Sequence, residues 1–263
     1  MLAVGFSFDP GVLAAIALAT ALYVRAVRTL ARRGYDVPVG QQVCWHAGIL
    51  LIAIGLLSPL DGYAEERLSA HMGQHLLIAD LAAPLLLVGL RTPVLVFYLP
   101  RELLVPLAHR RRLRSLFRTL RRPLVAIPVW IVILYGWHFA FMFEAALDSP
   151  LVHVMQHASF VFGSVLVWWA VIDPKHRRLH ADLWKAPYVL GARLSGMFLG
   201  MAFILMSAPA YGQYADAGLT DQQVAGAMML GLDLLVMLFA VAFFFWRSAE
   251  EHDAAERAAA AHG

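Results

Sequence analysis

Residues 68–90 read LSAHMGQHLLIADLAAPLLLVGL. A helix crossing a hydrocarbon core of about 30 Å needs roughly 20 mostly apolar residues. This stretch supplies them, with Asp80 as its one formally charged side chain. Six further stretches read the same way, at about 10–24, within 36–61, and at 123–143, 151–172, 188–208 and 222–246. The first is short, with residues 5–8 available to extend it, and no basic residue precedes it, which argues against a cleaved signal peptide. Pro123 suits a first helical position. The expected fold is an all-α integral membrane protein, with a bundle of seven transmembrane helices in residues 1–246. A tail at 247–263, rich in Ala and Glu, is expected to be a helical extension or disordered.

Composition points the same way. Hydrophobic residues make up 60% and charged residues 15%, against about 45–50% and roughly 25% in soluble domains, and the mean hydropathy is +0.66. So few charges cannot cover so much apolar side chain in water, which excludes soluble enzymes. The net charge of +3, from 21 basic and 18 acidic residues, is too small to indicate a nucleic-acid partner. One cysteine, Cys44, excludes an internal disulfide framework, a CxxC redox pair and any cysteine-built zinc or iron–sulfur site. A metal, if present, must be held by histidine, methionine or carboxylate.

The loops alternate in charge. Arg25, Arg28, Arg32 and Arg33 follow the first stretch. Arg101, Arg110, Arg111, Arg112, Arg114, Arg118, Arg121 and Arg122 follow the third, and Lys175, Arg177, Arg178 and Lys185 the fifth. The other loops carry Asp61, Glu65, Glu66 with a lone Arg67, then Glu144 and Asp148, then Asp216 and Asp221. By the positive-inside rule the amino terminus lies outside and the carboxyl terminus in the cytoplasm. The basic loops read as topology determinants in contact with the lipid bilayer.

With that orientation, five of the eleven histidines fall at outer helix ends: His71, His75, His138, His153 and His157. Two pairs share a pattern, His-Met-Gly-Gln-His at 71–75 and His-Val-Met-Gln-His at 153–157. A spacing of four puts both imidazoles on one helical face, a common way to offer two nitrogens to one metal. A single interfacial histidine is more often a polar anchor; two such pairs at one depth shift the balance toward a ligand set. Met72, Met142, Met155, Met201, Met206, Met228 and Met229 also lie in the outer halves, Met142 four residues after His138. Thioether with imidazole suits copper(I), although methionine is also a routine filler of apolar cores. Four nitrogens would equally suit zinc.

A second layer lies deeper. Counting about 1.5 Å per residue, His46, Asp80 and Asp233 fall at one depth and Arg193 somewhat below. A buried carboxylate needs a partner, and Arg193 is the basic residue available to Asp80 or Asp233. A charge pair tying helices together is favoured over a proton relay. His46 is read as a single ligand or a hydrogen-bond partner of that cluster.

Ser58-Pro59-Leu60-Asp61, His71-Met72-Gly73-Gln74-His75-Leu76-Leu77 and Ala83-Pro84-Leu85-Leu86 resemble the CtaG family of cytochrome c oxidase assembly factors, the multi-span type that serves caa-type oxidases. Trp137-His138, the His153–His157 pair, Asp221-Gln222-Gln223 and Ala225-Gly226 extend the resemblance from the second stretch to the seventh. It implies an integral factor of the bacterial plasma membrane, without catalytic residues, that delivers copper to the copper centres of the oxidase and has cytochrome c oxidase subunits as partners. Carried over by position, the implied metal-binding set is Asp61, His71, His75, His138, His153, His157 and Asp221. Two other functions fit the residues. Histidines from facing helices also ligate haem in membrane cytochromes, and an outer site above Asp80, Asp233 and His46 would suit a copper importer. No serine or cysteine sits beside a histidine–carboxylate pair in the order a hydrolase uses.

Overall fold

The protein is described by a computed structural model covering residues 8–172 and 184–260. Lys175, Arg177 and Arg178 of the fifth loop, residues 5–7 and the last three residues of the tail lie outside the described residues. The described residues contain helices and no strand.

Helix α1 (Pro10–Ala31) opens with Asp9 as N-cap, its carboxylate accepting from the Val12 N–H at 2.9 Å, and Pro10 in the first turn. It runs past the expected end at residue 24, so that Arg25 and Arg28 belong to the helix itself. Helix α2 (Val39–Leu57) ends where Ser58 caps the short α3 (Pro59–Glu66), the Ser58 hydroxyl accepting from the Leu60 N–H. Helix α4 (Leu68–Gly89) is the stretch quoted above, and its middle, Leu76–Ala82, widens into a π-helix.

The basic loop holds α5 (Val94–Tyr98), α6 (Arg101–His109) and α7 (Arg111–Leu120), and the last two bury no residue. The fourth stretch was expected to run unbroken to 143. It is instead α8 (Pro123–His138) and α9 (Ala140–Asp148), bent by 71° at Phe139, whose backbone is extended (φ −65°, ψ 134°). The His138 carbonyl, which a continuous helix would give to the Met142 N–H, accepts from the Tyr211 hydroxyl at 3.1 Å. Burial pushes the Tyr211 phenol well above its usual pKa, aided by Tyr214 and Glu144 nearby, so it stays protonated and able to donate. Met142 therefore does not share a helical face with His138.

Helix α10 (Pro150–Ile172) follows, then α11 (Lys185–Leu205), a 3₁₀ turn at Gly212–Ala217, and α12 (Gly218–Ala260). The tail is helical as far as residue 260, continuous with the last apolar stretch. Among the described residues six helices are long and apolar enough to cross a membrane, or seven if the bent pair α8–α9 crosses as one.

The packing is that of a membrane protein. Apolar side chains face outward, such as Leu124 at 91% and Phe239 at 75% exposure, while Gln74, Gln156 and Arg193 are buried inside. Helices α11 and α12 cross closely through Gly200 and Gly226, since a Cβ on Gly226 would stand 2.4 Å from the Gly200 carbonyl oxygen. The main core joins α4, α8, α10, α11 and α12 through Ile78, Trp130, Phe160, Val189, Phe203 and Met229. A smaller one joins α1, α2 and α5 around Tyr23, stacked on Trp45 at 4.5 Å.

Candidate metal centre

Helices α4 and α10 lie side by side, and each presents its histidine pair to the other. Within the pairs the ring centroids are 4.4 Å apart for His71–His75 and 4.3 Å for His153–His157. Across the helices His71 lies nearly parallel to His153 at 5.3 Å, and His75 meets His157 edge-on at 5.0 Å. One ring nitrogen each from His71, His75 and His153 lie within 4.8 Å of one another. His71 and His75 are buried and His153 half-buried.

The nitrogens are short of partners. His71 Nε2, both nitrogens of His75, His153 Nε2 and His157 Nε2 are buried without a hydrogen bond. Each unsatisfied polar atom costs about 1–3 kcal/mol, and well-packed proteins leave few of them. Five in one place fit a ligand set. The chain also sets one of the tautomers. The Tyr214 hydroxyl gives its proton to the Ala64 carbonyl at 2.6 Å, so at 3.1 Å it accepts from His71 Nδ1–H. That leaves a lone pair on His71 Nε2.

The remaining residues of the implied set stand around this cluster. Asp61 accepts from Gln74 Nε2 at 2.7 Å and so orients the residue before His75; Gln74 also donates to the Gly55 carbonyl at 2.9 Å. Asp221 accepts from the Ser69 N–H at 3.1 Å and the Ser69 hydroxyl at 2.5 Å, serving as an N-terminal cap for α4 supplied by α12. His138 ends α8 a layer away, against Phe143, Phe160 and Phe203 at 5.8–6.1 Å between ring centroids. Its Nδ1–H donates to the Leu134 carbonyl at 2.6 Å, and Nε2 is buried and unpartnered.

In the deeper layer Arg193 Nη1 donates to Asp80 and, at 2.9 Å, to Asp233, tying α11 to α4 and α12. The guanidinium stacks near Trp130 and Trp168, at 5.7 and 6.0 Å. Gly196 makes room for Asp233, whose carboxylate oxygen stands 2.0 Å from where a Cβ would be. His46 does not belong here. It is exposed on the outer face of α2, with Nδ1 on the Gln42 carbonyl at 2.8 Å, because Trp45 and Gly48 take the inward positions against Gly89 and Leu86. Tyr211 and Tyr214, which hold the backbone at His138 and the ring of His71, lie in the connection before α12 and carry no periodic signal in the sequence.

The sequence profile of the family described as cytochrome c oxidase caa3 assembly factor (Caa3_CtaG) matches residues 21–251. The chain belongs to this family. Uncharacterized proteins of Mycobacterium bovis and Mycobacterium tuberculosis are each 26% identical to it over 201 residues, covering 70% of this chain and 29% of theirs. One from Mycobacterium leprae is 24% identical over 262 residues, covering 89% of this chain and 38% of its own length. The chain thus spans about a third of the length of the curated relatives it matches. No solved structure matches it. In this Caa3_CtaG member the motifs that carry the resemblance fall at the start of α3, along α4, at the α8–α9 break, in the first turns of α10 and in the first turns of α12.

Proposed function

We propose that this Caa3_CtaG protein binds copper at the outer membrane face through His71, His75, His153 and His157 and supports copper-centre maturation of cytochrome c oxidase. The observation that carries the reading is the meeting of two i,i+4 histidine pairs whose buried nitrogens lack other partners. Neutral imidazoles bind copper or zinc; the assembly role of the family favours copper. Copper is cargo here, taken up and released without chemical turnover. Asp61 acts through Gln74, and Asp221 holds the α4 end that carries His71. His138 stands ready one layer deeper. In this reading α8 and α9 cross together as the seventh span, the amino terminus faces outward, the bilayer is the bacterial plasma membrane and the receiving partner is an oxidase subunit.

The test is elemental analysis and an absorption spectrum of the purified full chain and of a variant with all four histidines changed to Ala. The parent is expected to be colourless with bound copper, and the variant to insert normally and lose it. Equal copper in both would overturn the site. An intense Soret band would point to haem instead, and copper accumulation by sealed vesicles to import.

A further inference from the structure

Beneath the histidine cluster lies a second group of soft donors. A cavity of about 30 Å³ is lined by Met72, His75, Asp80, Trp130, His138 and Met229, among others. That is room for one small guest the size of a water or a metal ion. Met72, His75 and Asp80 fall on one side of α4, His138 comes from the end of α8 and Met229 from α12. His138 has Nδ1–H committed to the Leu134 carbonyl, which leaves the lone pair on its buried Nε2 free. Neither nitrogen of His75 is partnered, although this ring also faces the outer cluster. Asp80 is engaged by Arg193, so the donors left open to a guest are two imidazoles and two thioethers.

The methionines separate this place from the outer cluster. Of the seven in the outer halves of the spans, Met72 and Met229 are buried, at 1% and 5% exposure, whereas Met155, Met201, Met206 and Met228 are exposed. The outer cluster offers nitrogen alone, which zinc and both copper ions accept. Thioether with neutral imidazole in a small apolar cavity selects a soft monovalent ion.

We propose that the cavity is an inner station for copper(I), with silver(I) as its surrogate, held by Met72, Met229 and His138. His75 is shared with the outer cluster and passes the ion between them. The ion changes ligands and keeps its oxidation state, so the transfer needs no electron donor. The inference rests on the reading that the outer histidines take copper.

The test is X-ray absorption at the copper edge on the full chain in lipid nanodiscs, loaded anaerobically with copper(I). Sulfur neighbours are expected in the parent. The double variant Met72→Leu/Met229→Leu, a volume-conserving change, should lose them and keep copper on nitrogen. Copper bound by nitrogen alone in the parent would overturn the inner station and leave the outer site standing, as would sulfur neighbours that persist in the double variant. A parent that binds no copper would overturn both.

Discussion

Arg193 answers to two carboxylates in a place where water is scarce, and removing it would strand both of them. Breaking a buried pair by removing one partner costs about 3–5 kcal/mol. Arg193→Ala should therefore sharply reduce the yield of folded protein and its thermal midpoint in detergent. Adding Asp80→Asn and Asp233→Asn should recover part of the loss; an unchanged midpoint in the single variant would refute the tether. A smaller effect is expected at Asp221, which caps α4 through Ser69. Asp221→Ala should cost about 1 kcal/mol, the usual worth of a cap, read as a lower midpoint, with the bound metal still coordinated by the same histidines.

The histidine pairs were legible because a spacing of four on a helix leaves no choice of face. The Arg193 pairing was legible because a bilayer gives carboxylates few partners. His46 was misplaced because depth along a helix does not tell which side of it faces the protein. That was decided by Trp45 and Gly48, whose tight fit against α4 turns His46 away.

At the scale of elements, hydropathy located every long apolar helix among the described residues, but α1 runs seven residues and α12 fourteen past the apolar stretch that marked them, and hydropathy could not see breaks. The turn at Phe139 depends on Tyr211, more than seventy positions away. The π-helical widening at Leu76–Ala82 begins directly after His75 and contains Asp80, and a wide turn of this kind shifts the phase of every later side chain. Likewise, arginine-rich residues 101–122 read as loop because their helices bury nothing. The α11–α12 crossing can be tested directly. Gly226→Leu must push the helices apart at Gly200, so it should lower the thermal midpoint by the equivalent of about 1–3 kcal/mol, the usual cost of overpacking. Gly231→Leu, where a Cβ would meet nothing within 4 Å, should leave the midpoint close to that of the parent.

For the whole molecule, the charge alternation between loops defines an orientation that cysteine labelling can check. On a Cys44→Ser background, cysteines at Glu65 and Asp216 should react with an impermeant maleimide from outside intact cells, and one at Ser115 only after lysis. The reverse pattern would invert the protein. Helix α12 adds one more consequence. Its 43 residues at about 1.5 Å each extend about 65 Å, twice a hydrocarbon thickness of about 30 Å. Residues 247–260 thus continue the helix as a stiff spar projecting past the lipid headgroups. Spin labels at Arg247 and Arg257 should report a narrow distance distribution set by a rise of about 15 Å. A broad one would mean that the spar is a tether, free to sweep the membrane surface.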